Sequence, residues 1–126
     1  MEHVLYSDGN SKRICWAIKT NNEIKEQFRD HVDIFLDKVT NMQSKYIALH
    51  VGLFWSIGVF IIKNGDTVRI KLDSDEMINH LNGDVKSQDA LAEHRKIFIN
   101  QFVTQRNLKF IYEKINSEEN IATKML

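Results

Sequence analysis

Apolar and polar positions along this chain recur in two rhythms, and the changes of rhythm mark its elements. Between Arg13 and Lys19, Ile14, Trp16 and Ile18 alternate with Arg13, Cys15 and Ala17. This is the period of two that sends successive side chains to opposite faces of a strand. A shorter strand-like run, His3 to Tyr6, precedes it, and Ser7-Asp8-Gly9-Asn10-Ser11 between them carries a turn signal. Thr20 to Glu23 is the next polar turn. Val32, Ile34 and Leu36 then alternate with His31, Asp33 and Phe35, which predicts a third strand within Phe28 to Val39. Short turns can join these three strands as an antiparallel meander.

The rhythm lengthens after Thr40. Ala48, Leu49, Gly52, Leu53, Ser56 and Phe60 recur at helical spacing, with Thr40 or Asn41 as the cap and Gly65 as a terminator. Gly52 would let this helix approach a sheet closely. Val68, Ile70 and Leu72 alternate with Arg69 and Lys71 as a half-buried strand does. Ser74-Asp75-Glu76 opens a short helix over Met77 to Leu81, closed by Asn82-Gly83. Ser87 is a plausible cap for a helix from Gln88 to Gln105 with Leu91, Phe98 and Phe102 on its apolar face. Leu108 to Ile115 reads as a last strand, and Ser117-Glu118-Glu119 opens a short helix that runs out at Leu126. The predicted order is β-β-β-α-β-α-α-β-α, in one domain over residues 1–126.

Composition narrows the function classes. With 43% hydrophobic residues the chain can build a core, so it does not read as disordered. The formal net charge of +0 argues against a strongly electrostatic, nonspecific nucleic-acid binder, although it allows a local basic patch. The one cysteine, Cys15, permits no intrachain disulfide and reads as a buried thiol. The first residues hold Glu2 and Asp8 and no long apolar run, unlike a secretory leader, so a cytoplasmic chain is expected. Tyr46 to Ile62 is nearly continuous apolar sequence, at the lower limit of about 17 residues for a membrane span. The soluble α/β patterning on either side favours a buried core helix, with no membrane as partner.

Several segments together resemble a known family. Tyr6-Ser7-Asp8-Gly9 resembles the first-strand aspartate and glycine of type 1 ribonuclease H. Thr40-Asn41-Met42-Gln43-Ser44-Lys45-Tyr46-Ile47-Ala48-Leu49 is similar, without gaps, to that family's Thr-Asn-Asn-x-x-Glu-Tyr-x-Ala-Leu helix start. Leu72-Asp73-Ser74 resembles the Asp-Ser pair that ends its fourth strand. Ile115 to Lys124, with Asn120, resembles its C-terminal motif without the proline and arginine. The resemblance implies an α/β fold of the ribonuclease H-like kind: a five-stranded mixed sheet with helices on both faces.

It also implies a chemistry: cleavage of RNA in an RNA–DNA hybrid by two Mg²⁺ ions about 4 Å apart. The family pattern puts the metal carboxylates at Asp8, Lys45, Asp73 and Lys124, and here only Asp8 and Asp73 are carboxylates. An ammonium has no lone pair for a metal. Roughly 4 Å from a divalent ion it repels by about 8 kcal/mol at an effective dielectric near 20. Lys45 can instead pair with Asp8 and Asp73 as an internal counter-charge, or swing into solvent. A shift of one residue near the C-terminus would put Thr123 in place of Lys124. Glu118 or Glu119 could supply a replacement ligand, although each reads more simply as a solvated first-turn acid. The resemblance places nucleic-acid contacts at Gly9, Asn10, Ser11 and Asn41. Lys12, Arg13, Arg69 and Lys71 read as solvated faces, His50, His80 and His94 as structural, and Trp16, Phe54, Trp55 and Phe60 as core.

Three functions compete at this point. The first is a ribonuclease H-like protein with a depleted site, inactive or impaired, that binds a nucleic-acid duplex or a protein partner. The second is an active Mg²⁺-dependent ribonuclease H using Asp8, Asp73 and an unexpected ligand. The third is a structural or oligomerisation module exposing part of the apolar surface of residues 46–62, with no cofactor.

Overall fold

The computed structural model describes residues 1–83 and 85–126. Three antiparallel strands come first: β1 (Glu2–Gly9), β2 (Arg13–Thr20) and β3 (Glu23–Asp30). Helix α1 (Asn41–Gly58) leads to β4 (Thr67–Leu72), which lies parallel to β1. Helices α2 (Asp75–Asn82) and α3 (Ala90–Arg106) precede β5 (Lys109–Lys114), parallel to β4. The sheet order is β3-β2-β1-β4-β5.

The period-two alternation decides which side is buried. Leu5, Ile14, Trp16 and Ile18 share one face and meet Leu49 and Leu53 of α1, and Val68, Ile70 and Leu72 extend that face toward Met77 and Leu81 of α2. Gly52 makes the close approach possible: a Cβ there would sit 3.0 Å from Trp16 Cγ. The opposite face carries Asp8, Cys15 and Ala17, and two 3-10 turns (Ser117–Glu119 and Thr123–Met125) close the chain, with Ala122 against Cys15. No helix among the described residues is long and apolar enough to cross a membrane.

Five expectations change. The third strand is Glu23–Asp30 rather than Phe28–Val39, because the chain reverses directly at Asn21, which takes φ 56°. The 32–39 segment forms tight turns in which Phe35 and Val39, four residues apart, pack on the core while Val32 and Ile34 are exposed. Helix α1 stops at Gly58, well before Gly65, and the chain turns at Phe60 with φ 65°. That turn leaves Phe54 and Phe60 at 65% and 78% exposure, whereas Trp16 is buried. The cap of α3 is Asp89 rather than Ser87, and its buried residues are Ala92 and Ile99, with Phe98 exposed. The final helix is replaced by the 3-10 turns. Asn120 holds them: its Nδ2 donates to Ser7 O at 3.0 Å and its Oδ1 accepts from Ala122 N at 3.1 Å.

Candidate functional site

Asp8 ends the polar face of β1, and its side chain is 7% exposed. Its Oδ1 accepts the Gly9 N–H at 2.8 Å, and its Oδ2 accepts the Thr123 hydroxyl at 2.5 Å. Asp73 follows β4, the neighbour of β1, so parallel pairing brings the two carboxylates to the same end of the sheet. Lys45 reaches that end from the second turn of α1. The helix start is fixed by a reciprocal cap, in which Thr40 Oγ1 accepts from Gln43 N and Gln43 Oε1 accepts from Thr40 N, each at 3.0 Å.

Lys45 Nζ lies 2.8 Å from Asp73 Oδ1 and 3.6 Å from Asp8 Oδ1, so of the two orientations open to it the inward one is taken. Burial pulls the ammonium pKa down. The hydrogen bond to Asp73 and the charges of Asp8 and Asp73 outweigh that and raise it above 10.5. Lys45 is therefore a permanent cation at neutral pH.

At the C-terminal end of the cluster it is Thr123 that meets Asp8. Lys124 turns away, its Nζ 2.9 Å from Glu26 Oε1 and its side chain 63% exposed. Glu118 and Glu119 are exposed, and Glu119 accepts the Asn116 N–H within its own turn. Two carboxylates with a lysine between them do not fit a pair of divalent ions. Mg²⁺ demands several hard oxygen donors, and no group of three metal-capable acidic, histidine or cysteine side chains exists among the described residues.

The expected nucleic-acid residues cluster at this end with different local duties. Gly9 meets α1: a Cβ there would come 2.3 Å from Ser44 Oγ. Asn10 Oδ1 accepts the N–H groups of Lys12 and Arg13, each at 2.9 Å, and Ser11 O accepts from Asp37 N. Thr40 is the cap, which leaves Asn41 exposed on the first turn. Lys12 pairs with Asp37, Arg13 with Asp30, Arg69 with Glu2 and Glu113, and Lys71 with Glu113. Cys15 lies under Asp8, and burial, followed by the Asp8 charge, pushes its thiol up to about 12, so it is inert. Sequence reasoning missed His31. Its Nε2 is 2.8 Å from Ser44 Oγ and 3.0 Å from Asn10 O, tying the turn after β1 to α1. A lone histidine in an apparent strand gave no signal of that.

Sheet order, crossover and helix placement define a ribonuclease H-like fold. Among solved structures, the chain is similar to RNase H1 from the halophilic archaeon Halobacterium salinarum NRC-1, with a TM-score of 0.79 and 16% identity over 98% of this chain and 96% of that one. It is similar also to the N-terminal RNase H domain of Rv2228c from Mycobacterium tuberculosis, with a TM-score of 0.77 and 15% identity over 98% of each chain. A third is LC11-RNase H1, solved in complex with an RNA/DNA hybrid: TM-score 0.71, 16% identity, 97% of this chain and 91% of that one. No family model and no curated protein sequence matches the chain.

Proposed function

We propose that this chain is a ribonuclease H-like domain that binds an RNA–DNA hybrid or a similar duplex without hydrolysing it. The observation that carries this reading is Lys45 Nζ, 2.8 Å from Asp73 and 3.6 Å from Asp8. A fixed lysine cation offsets half the charge of the two carboxylates that a metal-dependent site would keep for Mg²⁺, takes up their oxygens, and repels any divalent ion that approaches them. Binding is supported by the hybrid complex of LC11-RNase H1. The exposed Asn41 and the Asn10–Ser11 turn, at the same end of the fold, offer polar contacts to a sugar–phosphate backbone.

The test pairs a cleavage assay on a labelled RNA–DNA hybrid, in Mg²⁺ and in Mn²⁺, with a gel shift on the same hybrid. A shift without cleavage is expected. Cleavage that disappears in Asp73→Asn would overturn the reading. In calorimetry, Lys45→Glu combined with Thr123→Asp should gain Mn²⁺ binding that the natural chain lacks.

A second reading, an association module, is favoured by the exposure of Phe54 and Phe60 on and just beyond α1. Sedimentation of the chain from micromolar to millimolar concentration tests it: a concentration-dependent dimer, lost in Phe54→Ser with Phe60→Ser, is the expected result.

A further inference from the structure

A groove between the β3 edge, the 31–39 turns, α1 and α3 holds two guanidinium groups that no carboxylate of the described residues pairs with. The ion pairs of the described residues engage Arg13 and Arg69, but neither Arg29 nor Arg95. Both line one cavity of about 190 Å³, with Ile14, Val32, Phe35, Ile47 and Val51 as its apolar wall. Arg95 is half-buried, and burial lowers its pKa. Its Nη1 is 2.7 Å from His50 Nδ1, and its Cζ is 5.9 Å from the centre of the Phe35 ring. Arg29 is exposed at the groove's edge, with its Cζ 5.3 Å from the centre of the Trp16 ring, so the desolvated cation is Arg95.

The other titratable groups at the groove do not supply the missing charge. Asp30 also lines it, but its carboxylate lies 3.3 Å from Arg13 and is 74% exposed. His31 is engaged by Ser44 and Asn10. His50 is kept neutral by burial first and by Arg95 second, its pKa lowered to about 4, so it accepts from the guanidinium and adds no anion. His94, beside Arg95 in an adjoining hollow, carries no negative charge in any form.

A guanidinium offers five donors in a flat fork, and one neutral imidazole uses only part of it. Withdrawing such a cation from water is costly unless an anion meets it. Carboxylates and phosphates both present two oxygens that the fork can meet in a bidentate way. The apolar wall adds a second requirement, because inorganic phosphate or a nucleic-acid backbone brings no apolar body to cover it. We propose that this groove binds an organic anion in which one carboxylate or phosphate monoester is attached to a compact apolar body. Arg95 and Arg29 hold the oxyanion, and Phe35, Ile47 and Val51 cover the body. The site is separate from the Asp8–Lys45–Asp73 cluster and stands whether or not the duplex-binding reading does.

The experiment is an amide chemical-shift titration of the full chain with 3-phenylpropanoate, phenyl phosphate and inorganic phosphate. Saturable shifts around Phe35, Val51 and Arg95 are expected with at least one organic anion, with a Kd on the order of 1 mM or tighter. A response to only one of the two assigns the oxyanion. Arg95→Met and Arg29→Met should each weaken binding roughly tenfold or more. Arg95→Met should change the melting temperature little, because relief of a half-buried cation offsets the lost hydrogen bond to His50. If Arg95→Met does not fold, Arg95→Lys carries the test: the charge stays, the fork goes, and binding should still weaken. The proposal is overturned if neither organic anion shifts these amides. It is overturned equally if inorganic phosphate binds as tightly as phenyl phosphate, or if the folded arginine variants bind undiminished.

Discussion

Thr123 donates its hydroxyl to Asp8 Oδ2 at 2.5 Å and so fastens the end of the chain to its first strand. A hydroxyl bonded to a carboxylate is among the stronger hydrogen bonds, although Thr123 itself is exposed, which tempers its worth. Thr123→Val should therefore cost about 1 kcal/mol in urea unfolding, with Thr123→Ser close to neutral. Lys124→Met, which breaks only a surface pair with Glu26, should change stability by less than about 0.5 kcal/mol. The reverse ranking would mean that Lys124, not Thr123, faces the site.

Lys45→Met removes the one cation between Asp8 and Asp73 and leaves two buried carboxylates without it. The expected loss is about 2–3 kcal/mol at pH 7. The natural pair has its own pH signature. The folded pKa of Lys45 is raised, so its contribution is fully present below the ordinary value of 10.5 and is lost only as pH rises through the folded value. Chemical unfolding at pH 7, 9 and 11 checks both statements. A Lys45→Met protein as stable as the natural one at pH 7 would show that the lysine is not the counter-charge.

Most of this architecture is legible because its signals are local. The alternation of Ile14, Trp16 and Ile18, the Thr40 cap and the Asp73-Ser74 junction each depend on a few neighbouring residues. The failures share a different cause. Val32, Ile34 and Leu36 alternate like a strand, yet tertiary contacts select Phe35 and Val39, because β3 was already formed upstream by the Asn21 hairpin. Thr123 and Lys124 are neighbours, and the anchoring of Asn120 to Ser7 and of Ala122 to Cys15 decides which one meets Asp8. The inward turn of Lys45 depends on two carboxylates delivered by separate strands, so the sequence left it as one of two options. The Arg29 and Arg95 pair, distant along the chain, carried no pattern at all.

Gly9 is more than the partner of a motif aspartate. Ser44 Oγ would stand 2.3 Å, and Ser44 O 2.7 Å, from a Cβ at that position, and the second of these is backbone that cannot rotate away. Gly9→Ala should push α1 off the sheet and cost about 2–3 kcal/mol. Because Lys45 follows Ser44 directly, the same variant should disturb the Lys45–Asp73 pair. Thermal unfolding together with the shift of the Lys45 ammonium resonance measures both effects. A stable variant with an unmoved Lys45 would mean that the helix yields more easily than this packing implies.

His50 supplies an acid-side prediction. Burial first, then the Arg95 charge, lowers its pKa from 6.5 to about 4. The fold therefore prefers neutral His50, and the unfolded chain binds the proton more readily. Its contribution is complete above pH 6.5 and declines as pH falls from there toward about 4. His50→Gln keeps a polar group of similar reach without the titration, so its stability should fall less steeply across that window. The Arg95→Met variant gives an independent check: with the neighbouring cation gone, the His50 titration followed by its ring proton resonance should move up toward the ordinary value. An unchanged acid slope in His50→Gln would place the acid sensitivity of the fold elsewhere, and an unmoved titration in Arg95→Met would leave burial alone as the cause of the shift.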